Sequence, residues 1–161
     1  LILNVEKNLL GTGGAIKDVI KKRNLTNPFI VSNGDTFHPF DFKKVLNEKV
    51  LNTKKSHILL KNSEKGRRFD QFKIYKKKLI MLHKKQKGLN FINSGIYLFY
   101  KKDFNINKNK FSIEEDIIPK LIKNNKLNHI KNKSNIFFDI GIPKDLNKFK
   151  RYIHNKKLKI E

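Results

Sequence analysis

A short apolar run that ends in a polar turn places the strongest constraint on how this chain folds. Residues 29–31, Phe-Ile-Val, are preceded by Pro28 and followed by Ser-Asn-Gly-Asp-Thr at residues 32–36. Such a run predicts an interior strand of a parallel sheet and then a tight turn. Ligands of open α/β sheets bind at the carboxyl ends of strands, so the turn would present Asp35 to a divalent metal and a phosphate. Asn, Gly and Asp are also ordinary turn residues, and taken alone the sequence is better explained as a surface turn.

Length and composition favour one compact domain over residues 1–161, with a basic tail at about residues 155–161 that we expect to fray. The chain has no cysteine, which excludes disulfides, thiolate metal sites and cysteine nucleophiles. Its five histidines include no pair at helical ligand spacing, which argues against a zinc site. No apolar run approaches the roughly 18 residues that a membrane span needs, so we expect a cytoplasmic protein without a membrane partner.

The formal net charge of +23, with a pI of 10.2, is typical of proteins that bind nucleic acids. Most of this charge comes from lysines that are spread along the whole chain instead of alternating with a platform of aromatic residues. We therefore interpret the charge as a solvated basic surface and expect no specific nucleic-acid partner. Nonspecific binding to polyanions should still occur, and it should weaken steeply with salt.

Three glycines in four positions, in the sequence Leu10-Gly11-Thr12-Gly13-Gly14, run directly into a helical apolar pattern. A glycine-rich loop at a helix N-terminus lets backbone amides approach a phosphate or nucleotide closely. The spacing matches neither the Walker pattern nor the dinucleotide fingerprint. From the residues alone, a nucleotide-binding loop and a simple turn that caps a helix are equally good explanations.

The remaining pattern alternates strands and helices. The apolar run at residues 1–5 predicts a strand, Asp41 predicts the N-cap of a helix over residues 42–51, and residues 56–61 predict another strand. A last helix is predicted over residues 144–154. This alternation is typical of a parallel α/β sheet.

Two short apolar runs between residues 62 and 87 predict a small antiparallel insertion, and a longer strand follows over residues 91–100. Asn93, Ser94 and Gly95 interrupt this longer strand. Because glycine inside a strand marks a bulge or the close approach of a ligand, these residues are candidates for a binding site.

A second carboxylate occurs in an apolar strand near the end of the chain. Asp139 lies within residues 136–141, and a carboxylate there is costly unless it is paired or binds a metal. Asp139 is therefore the natural partner for Asp35 in one Mg²⁺ site that faces a phosphorylated ligand. By contrast, Ser112 and Glu115 predict a capping box, which explains Glu115 without any function.

In their order along the chain, these segments resemble the sugar-1-phosphate nucleotidyltransferases, and most of all the heptose or mannose 1-phosphate guanylyltransferase type. The segments that carry the resemblance are residues 10–16, 33–36, 92–97, 111–121 and 138–145. It implies a Rossmann-like α/β fold with a mostly parallel sheet and a small antiparallel insertion. It also implies transfer of a nucleotidyl group from a nucleoside triphosphate, with GTP favoured, to a sugar 1-phosphate, with Mg²⁺ as cofactor and pyrophosphate as product.

The resemblance implies roles for individual residues as well. Asp35 and Asp139 would be the catalytic metal ligands. The nucleotide would contact Leu10, Gly11, Thr12, Gly13 and Gly14. The sugar phosphate would contact Lys85, Asn93, Ser94 and Gly95.

The chain also departs from the family pattern. The N-terminal glycine-rich loop with its Arg and downstream Lys has no counterpart, so we expect an N-terminally truncated domain that is inactive by itself. Lys84 stands where the family has a Glu that contacts the sugar, Asp70 replaces a Gly, and Ile142 replaces a capping Thr. A noncatalytic sugar-nucleotide-binding remnant therefore remains an alternative, and a basic nucleic-acid-binding protein is a less favoured one. The sugar and the oligomeric state stay open.

Overall fold

The computed structural model describes residues 2–62, 71–82, 90–132, 134 and 136–156. Eight strands are present in these ranges: β1 Phe29–Ser32, β2 Thr36–Phe37, β3 Ser56–Asn62, β4 Gln71–Tyr75, β5 Lys78–Leu82, β6 Phe91–Phe99, β7 Leu127–Lys131 and β8 Phe138–Asp139. The α-helices are α1 Gly11–Lys22, α2 Phe42–Val45, α3 Glu48–Leu51, α4 Ile118–Lys123 and α5 Pro143–Lys156. None of the described helices is long and apolar enough to cross a membrane.

The main sheet is built around β6, the longest strand. On one side β6 pairs with β3, and β3 pairs in turn with β7. On the other side its first residues pair with β4 and its last four residues pair with β1. Strands β1, β3 and β7 run in one direction, β6 runs antiparallel to β1 and β3, and the β4–β5 hairpin forms the predicted antiparallel insertion.

Two details of the predicted sheet are wrong. Strand β1 was expected inside a parallel sheet, but it pairs antiparallel with β6 and its apolar side chains are only half-buried. An apolar run predicts a strand, but it shows neither how deeply the strand is buried nor in which direction the neighbouring strand runs. The strand predicted at residues 1–5 is also absent from the described residues 2–5, where Ile2, Leu3 and Val5 are exposed.

The core lies on both faces of the main sheet, because β3 is buried along almost its whole length. Ile58 and Leu60 face one apolar cluster, and Leu59 faces a second cluster that includes Val45. This alternation follows from the two-residue period of a strand. His57 lies in the same strand with 3% of its surface exposed, and burial lowers its pKa to about 4, so the ring is neutral at pH 7.

The helix predicted over residues 42–51 is divided into α2 and α3. Asp41 caps α2 as predicted, since its carboxylate accepts a hydrogen bond from the Lys43 amide at 2.9 Å. The break follows from Asn47, whose side-chain oxygen accepts from the Val50 amide and so starts a second helix. The last helix, α5, is present and begins at Pro143.

Strands β2 and β8 form a separate two-stranded antiparallel sheet, which we name the carboxylate ribbon because Asp35 immediately precedes it and Asp139 ends it. Thr36 pairs with Asp139 across the ribbon. Helix α5 covers the ribbon through a cluster of four aromatic rings whose centroids lie 4.7–6.5 Å apart, namely Phe37, Phe138, Phe149 and Tyr152. The ribbon thus has an apolar support of its own.

Candidate metal and nucleotide site

The carboxylate ribbon brings Asp35 and Asp139 together, although 103 residues separate them in the sequence. The amide of Ile140 donates to the Asp35 carbonyl at 2.8 Å, which fixes the two segments against each other. Gly141 lies between the two side chains. A Cβ atom on Gly141 would lie 3.2 Å from Oδ2 of Asp35 and 3.3 Å from Oδ1 of Asp139. The absence of a side chain at residue 141 therefore keeps open the space that both carboxylates face.

The donor set of this space suits a hard divalent cation. Asp35 is exposed and Asp139 is half-buried, so both carboxylates can reach a ligand from solvent. The described part of the chain holds no cluster of three or more His, Cys, Asp or Glu side chains that could bind a metal. Mg²⁺ commonly takes one or two protein carboxylates and completes its coordination with water and phosphate oxygens, so two aspartates are sufficient.

The glycine-rich segment is not a loop but the first turn of α1, which begins at Gly11. The amides of Gly13 and Gly14 both donate to the carbonyl of Phe111, at 3.0 and 3.2 Å, and the Phe111 amide donates to the Leu10 carbonyl at 3.0 Å. These two glycine amides are therefore already used within the protein. The glycines therefore lie inside the first turn of the helix and not in a loop before it, whereas their contact with a nucleotide stays a prediction; we name residues 11–14 the glycine turn.

Packing explains why glycines occur in this turn. A Cβ atom on Gly13 would lie 2.4 Å from the Phe111 ring, and one on Gly14 would lie 2.3 Å from the carbonyl oxygen of Asn109. Both distances are far below van der Waals contact, so these residues allow α1 to approach another backbone segment closely. Gly11 and Thr12 are the exposed members of the turn and remain accessible to a ligand.

The interruption predicted in β6 is a bulge. The register between β3 and β6 shifts there, and Gly95 has a φ of +73°, a conformation that favours glycine. The side chain of Asn33 packs against Gly95, and the backbone N–H of Asn33 donates to the Gly95 carbonyl at 2.8 Å. The bulge therefore joins β6 to the segment that carries Asp35. Ser94 is fully buried and its hydroxyl donates to the Leu59 carbonyl, so this side chain holds the sheet together.

A hydrogen-bond network links the glycine turn to the bulge through Glu114, which the sequence reasoning missed. Glu114 accepts from the Thr12 hydroxyl at 3.1 Å and from the Tyr97 hydroxyl at 3.2 Å. Asn93 donates to the Tyr97 hydroxyl at 2.5 Å. Glu114 lies 17 residues from Tyr97 and 102 from Thr12, so no local pattern could have identified it.

The capping box at Ser112 differs from the predicted one. The Ser112 hydroxyl accepts from the amides of Glu114 and Glu115, but the carboxylate that accepts from the Ser112 amide belongs to Asp116, at 2.9 Å. The turn over Ile113–Ile117 is a π turn, whose extra residue moves the returning carboxylate one position along the chain. The hydrogen bond from Ser112 and the Lys108 ammonium lower the pKa of Asp116. Glu115 is thus not part of the box.

Some predicted features fall elsewhere. Lys85, Lys84 and Asp70 lie outside the described residues.

The described residues also line an apolar groove of about 390 Å³ between α1 and β1, where Ile16, Val19, Phe29 and Val31 contribute side chains. Asp35, Asp139 and the glycine turn do not line this groove. It is therefore separate from the carboxylate pair.

Comparison with known proteins finds relatives that include proteins named as heptose 1-phosphate and mannose-1-phosphate guanylyltransferases. No protein-family model matches the chain. The chain is 34% identical over 154 residues to the D-glycero-alpha-D-manno-heptose 1-phosphate guanylyltransferase of Campylobacter jejuni subsp. jejuni, with 88% of this chain and 62% of that protein covered. It is 29% identical to the enzyme of the same name from Aneurinibacillus thermoaerophilus, with 94% and 66% covered.

A solved structure is similar to the chain as well. HddC from Yersinia pseudotuberculosis, crystallised in complex with GMP-PN, superposes with a TM-score of 0.71 at 32% identity, covering 89% of this chain and 62% of that one. The chain thus spans less than two thirds of the length of these relatives. The predicted α/β fold class is confirmed. The chain is similar in sequence to proteins named as sugar 1-phosphate guanylyltransferases and in fold to HddC.

Proposed function

We propose that this chain forms part of an enzyme that transfers a nucleotidyl group from a nucleoside triphosphate to a sugar 1-phosphate. The observation that carries the proposal is the meeting of Asp35 and Asp139 on either side of Gly141. The names of the relatives favour a guanylyl group and a heptose or mannose 1-phosphate. In this reaction a phosphate oxygen of the sugar 1-phosphate attacks the α-phosphorus of the triphosphate, and the bond to the β-phosphate breaks to release pyrophosphate.

Asp35 and Asp139 would hold Mg²⁺, which supplies charge neutralisation at the phosphates when it is bound. Transfer then depends on positioning, because phosphoryl-group chemistry asks little covalent work of the protein. The fixed pairing of β2 with β8 supports this role, since it limits the relative movement of the two aspartates. We expect no covalent enzyme intermediate.

The remaining predicted ligand residues are proposed with narrower roles than the sequence alone implied. In the glycine turn, Gly11 and Thr12 are exposed and are the residues that would contact the nucleotide, while Gly13 and Gly14 would act by holding the turn against Phe111. Leu10 is half-buried and hydrogen-bonded to Phe111 through its carbonyl.

Next to the bulge, Asn93 and Gly95 would contact the sugar phosphate, and Ser94 would support them from within the sheet. The Asn93 side chain is held in place by two hydrogen bonds, one from the Gly95 amide and one to the Tyr97 hydroxyl. Lys85 would add a positive charge toward the phosphate.

The test is an assay of pyrophosphate release by the complete protein that contains this sequence, with GTP, mannose 1-phosphate or heptose 1-phosphate, and Mg²⁺. We expect activity that disappears on chelation of Mg²⁺ and falls by at least about a hundredfold in Asp35→Asn and Asp139→Asn. Asp41→Asn is the matched control, because Asp41 is a carboxylate six positions after Asp35 in the sequence that caps α2, and asparagine caps as well as aspartate does. Undiminished activity in Asp35→Asn would contradict the proposal.

A further inference from the structure

The carboxylate ribbon is a separate sheet from the main sheet that contains β3, β6 and β7. Contacts between the two sheets must therefore fix where Asp35 and Asp139 lie relative to the bulge in β6. Asn132, the first residue after β7, lies at this junction. Its backbone amide donates to the Leu60 carbonyl of β3 at 2.9 Å and extends the parallel pairing of β3 with β7 by one residue. The backbone of Asn132 is thus part of the main sheet.

The side chain of Asn132 points to the other sheet. Its Nδ2 atom donates to the Pro39 carbonyl at 2.7 Å and lies 2.9 Å from Nε2 of His38. Its Oδ1 atom accepts from the Ser134 amide at 3.2 Å, on the segment that leads into β8. One side chain therefore binds the segment after β2 and the segment before β8, which are the two ends of the ribbon away from its aspartates.

His38 completes the junction. The ring is 5% exposed, and its Nε2 faces an amide N–H, so the neutral tautomer with the proton on Nδ1 is the one that can accept this bond. The His38 and Phe137 rings pack edge to face, with their centroids 5.6 Å apart. The Lys61 ammonium, which comes from β3, lies 5.2 Å from the centroid of the same Phe137 ring. Two residues of the main sheet, Lys61 and Asn132, thus contact two residues that flank the ribbon.

We propose that Asn132 and His38 are positioning residues that fix the Asp35–Asp139 pair relative to the main sheet. This inference rests on the proposed function, because it assigns to the pair the role of a metal site. The physical reason is geometric: β2 and β8 each contribute only two residues, so their pairing frays unless the end away from the aspartates is fastened. When the ribbon frays, the two carboxylates move apart, and a separated pair binds a cation less tightly than a fixed pair.

The experiment titrates the 161-residue chain with Mn²⁺ and no other ligand. Binding is measured as the loss of the electron paramagnetic resonance signal of free Mn²⁺. Asn132→Ala and His38→Ala should each weaken Mn²⁺ binding by about threefold to tenfold while the chain stays folded. His38→Gln should restore most of the affinity, because the glutamine side chain offers an acceptor near the position of Nε2. Circular dichroism of each variant shows whether it is folded.

Asn124→Ala is the matched control. Asn124 also donates from its side chain to a backbone carbonyl, that of Lys120 at 2.9 Å, but it ends α4 and does not contact the ribbon. We expect it to change the melting temperature without changing Mn²⁺ affinity. If Asn132→Ala and His38→Ala behave like this control, with lower stability and unchanged affinity, the positioning role is wrong. If Asn132→Ala does not fold, the Mn²⁺ affinities of His38→Ala and His38→Gln test the positioning role in its place.

Asp35→Asn separates this inference from the proposed function. If that variant binds Mn²⁺ as the unaltered chain does, the metal site itself is wrong. If Asp35→Asn abolishes binding and the two positioning variants leave it unchanged, the metal site stands and the inference about Asn132 and His38 fails.

Discussion

Residues of the glycine turn and of the carboxylate ribbon were both predicted to bind a ligand, but the space around them differs in the structure. In the glycine turn, the amides of Gly13 and Gly14 and the space around them are taken by Phe111 and Asn109. In the ribbon, Asp35 is exposed and Gly141 leaves a space in front of both carboxylates. The comparison teaches that glycine allows close approach of whatever is nearby, and only the structure tells whether that is a ligand or the protein itself.

The largest expected difference in stability is between two glycine-to-alanine variants, one in the glycine turn and one beside the carboxylate ribbon. Gly14→Ala would place Cβ 2.3 Å from the Asn109 carbonyl oxygen, and because that neighbour is backbone we expect a loss of about 3 kcal/mol in the free energy of unfolding. Gly34→Ala, beside Asp35, meets nothing within 4 Å and should change stability by less than about 0.5 kcal/mol. Urea denaturation of both variants measures the difference, and similar stabilities would break the comparison.

Acid should loosen the ribbon before the glycine turn. Burial, together with the nearby Lys61 charge, lowers the pKa of His38 below its ordinary 6.5. Because the unfolded or opened state takes up a proton near pH 6.5 and the folded ring does not, stability is complete above that pH and falls as the pH drops below it. Protonated His38 also cannot accept from Asn132. The bonds from Gly13 and Gly14 to Phe111 are between backbone groups, which do not titrate.

Hydrogen exchange can measure this difference. Between pH 7 and pH 5, after correction for intrinsic exchange, protection of the Ile140 amide should fall by about tenfold more than that of the Gly13 amide. Burial lowers the pKa of His57 and His129 in the same direction, so all amides lose some protection and only the ratio is informative. In His38→Gln the ratio should stay constant. An equal loss at Ile140 and Gly13 in the unaltered chain would contradict the assignment.

A cap next to the glycine turn gives a smaller effect. Ser112→Ala removes the acceptor of the Glu114 and Glu115 amides and should cost about 1 kcal/mol of stability. Glu115→Ala should cost much less, because Asp116 accepts from the Ser112 amide. Thermal denaturation distinguishes the two, and a larger loss for Glu115→Ala would restore the capping box that the sequence predicts.

A small effect on stability is also expected for Gly141→Ala. Its Cβ would lie 3.2 Å from an Asp35 oxygen and 3.3 Å from an Asp139 oxygen, distances that side-chain rotation can relieve. We expect a change of less than about 1 kcal/mol in stability, together with weaker Mn²⁺ binding by about tenfold, because the methyl group occupies the space that the carboxylates face. Calorimetric titration with Mn²⁺ tests this, and unchanged affinity would show that the ion binds elsewhere.

Local patterns in the sequence predicted the parts of the fold that depend on local rules. Strand β3 was predicted because Ile58, Leu59 and Leu60 form a continuous apolar run, which suits a strand that is buried on both faces. Asp139 was identified because a carboxylate in an apolar strand needs a partner. The Asp41 cap and the bulge at Gly95 follow equally from the conformational preferences of single residues.

The parts that were missed depend on contacts between distant residues. Glu114 meets Thr12 and Asn132 meets His38 across 102 and 94 positions, and neither residue stands out from its neighbours in the sequence. The antiparallel pairing of β1 with β6 was missed for the same reason. In the sequence, Asn132 is one more polar residue of a lysine- and asparagine-rich chain, and nothing near it indicates that its side chain fastens the ribbon.

A double-mutant cycle shows whether Asp35 and Asp139 form one metal site. Mn²⁺ affinity would be measured for the unaltered chain, Asp35→Asn, Asp139→Asn and the double variant. We expect either single substitution to remove most of the affinity and the double variant to bind hardly more weakly than either one, because the two residues share one ion. Small losses that simply add in the double variant, or affinity unchanged in all four proteins, would contradict it.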